Sequence, residues 1–241
     1  SDGVVGETVP IILLVLFQLI LLAIGMIGPW RNANATEHLA RSIRLLLSFS
    51  LLVAAFAIWL GGAKLPTYAQ WVAFGMLASF SGDVMLSGLF RLPNRLIFGM
   101  IAFGIAHLLY INAYAGTIET ISSIEPYARW TTGLSLGLGF YGVISILGWL
   151  MLIRNPQKDL TTNIGALIYG MLVGAMAAFA LALGYALGLW LTAIGGLLFV
   201  VSDFIIGVTD IRGIKIKNAT DWIWLTYVAA QAGIIYAGWL A

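Results

Sequence analysis

The chain has 241 residues, of which 61% are hydrophobic and only 9% are charged. Soluble domains carry about 25% charged residues, so this composition excludes a water-soluble globule. The sequence contains no cysteine, which excludes disulfides, thiol catalysis and thiolate metal sites. The net charge of +2 is too small to indicate nucleic-acid binding, and no nucleic-acid partner is expected.

Long apolar runs predict an all-α, polytopic integral membrane bundle of eight transmembrane helices, because a span needs about 20 apolar residues. The first run follows two acids and no base, so it is expected to be a span rather than a cleaved signal peptide. The sixth and seventh runs are continuous, and a break is predicted near residues 184–188. The whole of 1–241 then forms one integral membrane domain, with spans at about 10–30, 40–60, 70–90, 96–118, 131–153, 164–184, 187–208 and 220–240.

The basic residues predict the orientation of the bundle, because connections rich in Lys and Arg face the cytoplasm. Only Lys64 and Arg129 lie on one side. The other side carries ten bases, which are Arg31, Arg41, Arg44, Arg91, Arg95, Arg154, Lys158, Arg212, Lys215 and Lys217. This asymmetry predicts that both termini are non-cytoplasmic, in a bacterial inner membrane or in the endoplasmic reticulum of a eukaryote.

Three ionisable residues stand well inside the predicted spans: Asp83, His107 and Asp203. Such a residue costs about 2.5–3.5 kcal/mol at mid-bilayer, so each is a candidate functional residue. At 1.5 Å per residue, Asp83 and Asp203 lie about 12 Å and about 10 Å from the cytoplasmic edge. His107 lies about 18 Å deep on the same basis. The three side chains are expected to converge on one cavity.

Further polar residues accompany this trio and are candidates for positioning substrate or water. Ser79 shares a helix face with Asp83. The others are Tyr110, Ser202, Tyr227 and Gln231. A plain structural role as interhelical hydrogen-bond partners is the alternative for Tyr110, Tyr227 and Gln231.

The two aspartates stand in similar surroundings 120 residues apart, since 203 − 83 = 120. Ser81-Gly82-Asp83 is echoed by Val201-Ser202-Asp203, and a tyrosine follows in the next span of each half. This echo favours a 4+4 internal repeat. Neither aspartate has an intramembrane base beside it in the sequence, so at least one carboxyl is expected to be protonated. A protonated and an ionised carboxyl side by side form an acid/base pair.

Four motifs resemble the YhhN-type lysoplasmalogenase family over about residues 40–240. They are Ser81-Gly82-Asp83, Phe103-Gly104-xx-His107-xx-Tyr110, Gly196-xx-Phe199-xx-Ser202-Asp203 and Tyr227-xxx-Gln231. The resemblance implies hydrolysis of the vinyl ether bond of a lysoplasmalogen-type lysophospholipid, which releases a fatty aldehyde and a glycerophospho-alcohol. Asp83 and Asp203 are then the catalytic pair, and His107, Tyr110, Tyr227 and Gln231 position water and the glycerol oxygens. Arg91, Arg95 or Lys215 is expected to meet the phosphate, and no cofactor or metal is required. The partners implied are the lysophospholipid and the surrounding membrane lipids.

Other functions are compatible with the same residues. Intramembrane carboxyls and a repeat are also typical of a proton-coupled transporter of a small or lipid-like solute. A metal bound by Asp83, His107 and Asp203 with water is a variant of the hydrolase hypothesis. An assembly subunit is a third possibility, and it predicts that Asn substitutions at both aspartates are silent.

Overall fold

The computed structural model of the chain describes residues 2–28, 31, 38–121 and 123–241, with the backbone alone for residues 2–8. Eight α-helices make up this part of the chain, and the all-helical fold is as predicted. The helices are α1 (Asp2–Ile27), α2 (Arg41–Leu60), α3 (Pro66–Leu86), α4 (Arg95–Glu119), α5 (Ile124–Gly148), α6 (Leu160–Leu187), α7 (Trp190–Ile206) and α8 (Ala219–Leu240).

The helix ends follow local sequence signals. Pro66 opens α3, where its missing amide proton is not needed. Asn94 and Asp159 cap α4 and α6 by accepting hydrogen bonds from the first-turn backbone. Gly188 has a φ of 76° and ends α6, so the predicted break between the sixth and seventh runs is confirmed.

Seven of the eight helices are long and apolar enough to cross a membrane, by length and composition. The exception in the described chain is α3, which has 21 residues and begins four residues earlier than the predicted span at 70–90. Its hydropathy is lowered by polar residues, among which Ser79 and Asp83 are buried. These side chains face the bundle rather than lipid, as intramembrane polar residues generally do. Eight crossings with both termini non-cytoplasmic stay a prediction.

Six of the helices form a closed ring in the order α2, α3, α4, α6, α7, α8, with α8 returning to α2. α1 packs on the outside against α2, and α5 packs on the outside against α6. Each half therefore has the same neighbours: α3 lies between α2 and α4, and α7 lies between α6 and α8. The 4+4 repeat itself stays a prediction.

Two glycines let α3 approach α4 closely. A Cβ atom on Gly75 would lie 2.3 Å from the ring of Tyr110, and one on Gly82 would lie 2.7 Å from the ring of Phe103. Real Cβ atoms do not come so near to a ring, so these two rings occupy the space that the glycines leave. The same two aromatic residues face the interior of the ring of helices, where the polar residues meet.

One end of the bundle collects the connections that carry the ten bases, and we call it the basic end. α1, α3, α5 and α7 finish there, and α2, α4, α6 and α8 start there, because short connections join successive helices of opposite direction. At this end α5 and α7 each continue into a π-helical turn, Trp149–Ile153 and Gly207–Ile211. π-helical turns are often found at functional sites, and the second begins four residues after Asp203.

Candidate active site

The two aspartates predicted to be catalytic line the same cavity in the ring of helices. Asp83 lies three residues before the end of α3, and Asp203 lies three residues before the end of α7. Asp83 is 5% exposed, and the side chain of Asp203 is 14% exposed. Of the three side chains expected to converge on one cavity, the two carboxyls line it, whereas His107 is not part of its lining.

Asp83 is held by two hydroxyl groups on one oxygen. The hydroxyl of Tyr227 donates to Oδ2 at 2.6 Å, and the hydroxyl of Ser48 donates to the same atom. These donors come from α8 and α2, so three helices fix the carboxyl. Hydrogen bonds to a carboxylate are roughly twice as strong as those between neutral groups, so this arrangement suits an anion.

A directional chain of hydrogen bonds extends from Asp83 deeper into the bundle. Tyr110 donates to Oε1 of Gln231 at 2.7 Å, and Nε2 of Gln231 donates to the Tyr227 hydroxyl at 3.3 Å. Ser79 lies 3.4 Å from the Tyr110 hydroxyl. All four of these residues are buried. Tyr227 thus contacts Asp83 directly, and Gln231, Tyr110 and Ser79 are connected to Asp83 through Tyr227. These hydrogen bonds fix the orientations of the tyrosine and glutamine side chains.

Asp203 has a separate set of partners. Tyr169 on α6 donates to Oδ2 at 2.7 Å, and Nε2 of the fully buried His107 lies 3.7 Å from the same oxygen. Nε2 also lies 3.2 Å from the Tyr169 hydroxyl, whose oxygen accepts a hydrogen bond when the imidazole carries its proton on Nε2. Within the described chain, Nδ1 of His107 has no hydrogen-bond partner. Asp203, Tyr169 and His107 therefore form a second polar cluster in the same site.

The cavity between the carboxyls, which we call the polar cavity, has a volume of about 190 Å³ and runs toward the basic end. Its outer wall carries Ser87 at the end of α3, Asp210 in the π-helical turn and Thr220 at the start of α8. The aromatic rings of Phe103 and Tyr227 line its inner part, with ring centroids 5.9 Å apart. Ser202 also lines it and donates to the backbone oxygen of Ile223 at 3.2 Å. The cavity thus joins the two carboxyls to polar residues at the ends of α3, α7 and α8.

Arg44 lines the polar cavity together with both aspartates. It stands in the first turn of α2, four residues before Ser48, and its guanidinium carbon lies 5.9 Å from the centre of the Trp224 ring. The inference from sequence that neither aspartate has a base nearby is therefore wrong for the folded chain. The sequence places Arg44 at the membrane edge. Its side chain faces the carboxyls because α2 packs against α8.

The bases predicted to bind the headgroup lie elsewhere. Arg91, Arg95 and Lys215 are exposed at the basic end, and the lining of the polar cavity contains none of them. Arg95 packs over Gly88, where a Cβ would lie 2.3 Å from its guanidinium nitrogen. The structure therefore does not bring these three side chains to the carboxyls, and Arg44 is the base that it does bring.

An apolar cavity of about 50 Å³ lies on the other side of Asp203. Tyr169 and Asp203 supply its polar edge, and the rest of its lining is apolar or glycine, including Leu86, Met100 and Ile206. Asp203, Leu86, Phe103 and Ile206 line both cavities. Asp203 therefore stands at the junction of a polar and an apolar space.

The geometry gives no support to the metal-bound variant of the hydrolase hypothesis. In the part of the chain that the structure describes, no group of three or more His, Cys, Asp and Glu side chains is arranged to hold a metal ion. His107 lies 3.7 Å from Asp203, and both residues are hydrogen-bond partners of Tyr169. The arrangement instead supplies proton donors and acceptors around one cavity.

Three residues of the site were missed by reasoning from sequence: Arg44, Ser48 and Tyr169. Arg44 and Ser48 are spaced i, i+4 and therefore share a face of α2, which is a detectable signal. Tyr169 is a polar-tipped residue in the middle of a run of Ala, Gly, Leu and Ile, but the sequence alone does not relate it to Asp203 or His107.

Comparison with known proteins agrees with the resemblance seen in the motifs. The model of the YhhN family matches residues 40–238, which is 199 of the 241 residues and includes every residue of the two polar clusters. Comparison with curated proteins and with solved structures finds no match. The match covers most of the chain and contains the site, and the chain therefore belongs to the YhhN family.

Proposed function

We propose that this protein is a membrane-embedded lysoplasmalogenase, which hydrolyses the vinyl ether bond of a lysophospholipid to a fatty aldehyde and a glycerophospho-alcohol. The observation that carries the proposal is that two carboxyls, those of the buried Asp83 and the partly buried Asp203, line one cavity and each accepts a hydrogen bond from a tyrosine. Membership of the YhhN family is consistent with this activity.

The chemistry of a vinyl ether requires an acid and an anion in one place. A proton adds to the β-carbon, which is the carbon on the chain side, and the α-carbon becomes part of an oxocarbenium ion. Water then adds to the α-carbon and loses a proton, and the hemiacetal collapses to an aldehyde and an alcohol. The overall reaction consumes one water and needs no oxidant. General acid–base catalysis of this type contributes about 10²–10⁴-fold, and a nearby anion stabilises the cation.

The positions of the two carboxyls suggest how the roles divide. Asp203 lies at the junction of the polar and apolar cavities, next to where the chain-side β-carbon would sit. Asp83 lines the polar cavity and accepts two hydroxyl hydrogen bonds. We therefore assign Asp203 as the acid that protonates the β-carbon and Asp83 as the anion that stabilises the oxocarbenium ion and deprotonates water. The arrangement parallels the paired carboxyls of glycosidases.

The remaining polar groups position these two carboxyls and the substrate. Tyr227 and Gln231 orient Asp83, and Tyr169 orients Asp203 beside His107. Arg44 is proposed to bind the phosphate, since guanidinium groups recognise phosphate through paired hydrogen bonds. Arg91, Arg95 and Lys215 are exposed at the basic end and do not line the cavity, and they are proposed to meet headgroups at the membrane surface.

The test is aldehyde release by the purified protein in detergent, with a 1-alkenyl lysophospholipid as substrate. In D₂O the product aldehyde should carry one deuterium at carbon 2, because the β-carbon takes its proton from the acid. Asp83→Asn and Asp203→Asn are each expected to lower kcat by about 10²–10⁴-fold while the protein still elutes as a folded species. Full activity in both single variants would refute the proposal.

A proton-coupled transporter is the alternative that the same residues allow, because the site contains two carboxyl clusters on one cavity. On the side of the carboxyls away from the basic end, the ring of helices is filled by buried Tyr110, Tyr114 and Tyr68, and Tyr68 hydrogen-bonds Thr192 at 2.8 Å. This packing closes the site on that side, so a carrier would have to open it in a second conformation. Turnover in detergent supports the enzyme, whereas proton-dependent flux in liposomes without aldehyde supports the transporter.

A further inference from the structure

A groove on the side of the bundle leads from the outer surface of the helices toward Asp203. It lies between α4 and α6, has a volume of about 290 Å³, and shares Met100 and Tyr169 with the apolar cavity. Tyr169 donates to Asp203, so the groove, the apolar cavity and the catalytic carboxyl are in sequence. The path opens sideways, between two helices that are neighbours in space but not in the chain.

The lining of the groove is suited to hydrocarbon. Its walls contain no Lys, Arg, Asp or Glu, and Thr161 and Tyr169 are their only hydroxyl groups. The outer rim is formed by Ile101 and Ile168, which are 57% and 65% exposed on the outside of the bundle. Large apolar side chains exposed on a membrane-spanning helix face lipid, so the occupant of this groove comes from the bilayer.

Two glycines keep the groove open. A Cβ on Gly104 would lie 3.6 Å from Leu172, and a Cβ on Gly165 would lie 3.6 Å from Met100. Both distances are ordinary van der Waals contacts, so a small side chain would fit and a large one would fill the groove. α5 leaves this side uncovered because it packs on α6 and has few neighbours on α4.

We propose that the groove between α4 and α6 holds the hydrocarbon chain of the substrate, and that the substrate enters sideways from the membrane. The proposal rests on the function proposed above and adds the location of the substrate's hydrocarbon chain. The headgroup then occupies the polar cavity near Arg44, and the vinyl ether, which joins chain to headgroup, lies at Asp203 where the two spaces meet. A single-chain amphiphile fits this division of polar and apolar space.

The test compares two substrates with the same phosphoethanolamine headgroup, one with a hexadecenyl chain and one with a butenyl chain. Gly165→Leu and Gly104→Leu place a branched side chain in the groove, and Gly139→Leu is the matched control. Gly139 lies on α5 with nothing within 4 Å of an added Cβ. The two groove variants are expected to lose about 10- to 200-fold in kcat/KM on the long substrate, the range for one mismatched group in an apolar pocket.

The same variants are expected to lose much less on the butenyl substrate, whose chain is too short to fill the groove, and this turnover also shows that they are folded. Gly139→Leu should match the wild type on both substrates. Unchanged turnover of the long substrate, or equal losses on both substrates, would overturn the assignment of the groove. If the wild-type protein releases aldehyde from neither substrate, the proposed function is refuted, and this inference with it.

Discussion

Each carboxyl proposed to be catalytic accepts a hydrogen bond from one tyrosine, which allows the proposed division of roles to be tested with matched variants. Tyr169 donates to Asp203 at 2.7 Å, and Tyr227 donates to Asp83 at 2.6 Å. Tyr169→Phe and Tyr227→Phe each remove one hydroxyl and keep the ring. The ring of Tyr227 continues to pack edge-on against Trp224, with centroids 5.2 Å apart.

The expected losses differ because one acceptor is proposed to be neutral and the other ionised. A hydrogen bond between neutral groups contributes about 0.5–1.5 kcal/mol, and one to a charged group contributes about 1.5–3 kcal/mol. At about 1.4 kcal/mol per factor of ten, Tyr169→Phe should lower kcat/KM by about 2- to 12-fold. Tyr227→Phe should lower it by about 12- to 140-fold, since it leaves the proposed anion with one hydroxyl donor fewer.

The assay is the initial rate of aldehyde formation in detergent, followed through an added alcohol dehydrogenase and its nicotinamide cofactor. Tyr114→Phe is the control, because its buried hydroxyl contacts only the sulfur of Met176, at 3.9 Å, among the described residues. This control should retain wild-type kcat/KM. Tyr114→Phe should unfold close to the wild-type temperature, and the other two variants should still unfold in one cooperative thermal transition.

The relative size of the kcat/KM losses in the two variants decides which carboxyl is the acid and which is the anion. Equal losses in Tyr169→Phe and Tyr227→Phe would refute the reasoning, because it requires the two carboxyls to differ in charge. A reversed order would make Asp83 the acid and Asp203 the anion. Wild-type activity in both variants would show that neither carboxyl acts through its tyrosine.

Three further predictions concern substrate binding and stability. Arg44→Gln should raise KM about tenfold or more for a phosphate-bearing lysolipid, since it removes a charged partner, and should leave a vinyl ether without phosphate unaffected. Gly82→Ala places a Cβ 2.7 Å from the ring of Phe103 and should cost about 1–3 kcal/mol of stability, measured as a lower Tm. Hydrogen bonds from Thr162 hold the pKa of Asp159 below its ordinary value, so the stabilisation of α6 that they provide is present at neutral pH. That stabilisation is lost as the pH falls through the pKa of the folded state, and the wild-type Tm should drop more on acidification than that of Asp159→Asn.

These predictions have controls on the same chain. Arg91→Gln lies at the basic end outside the polar cavity and should leave KM unchanged. Gly139→Ala adds the same methyl group in open space and should leave Tm unchanged. An equal KM effect at Arg44 and Arg91, an unchanged Tm in Gly82→Ala, or parallel Tm curves for wild type and Asp159→Asn would contradict the respective prediction.

The elements of the fold could be predicted because lipid imposes a simple requirement on sequence. Each helix must present about 20 apolar residues to the bilayer, so the runs of apolar residues locate the helices along the chain. α3 is the partial exception. Its polar residues displace the span predicted from hydropathy by four residues, and Pro66 marks where the helix begins. The break at Gly188 was predictable because glycine adopts a positive φ readily.

The neighbours of each carboxyl could not be predicted, because they come from helices distant in the chain. Ser48 is 35 residues from Asp83, and Tyr227 is 144 residues away, yet both donate to one oxygen. That Arg44 lines the polar cavity was missed for the same reason, since the direction of its side chain depends on how α2 packs. Side-chain position across a bundle is set by helix rotation and packing, on which hydropathy carries no information.

The sequence by itself determined that this is a helical membrane protein, which residues are out of place in lipid, and which family its motifs resemble. Each follows from the cost of an ionisable side chain in hydrocarbon and from the order of short motifs along the chain. Only the tertiary structure decided that Asp83 and Asp203 share a cavity, that Arg44 faces it, and that an apolar path reaches Asp203 between α4 and α6. The reason is that a ring of six helices brings together side chains that are distant in the chain, and the rotation and packing of each helix decide which of its side chains face the interior.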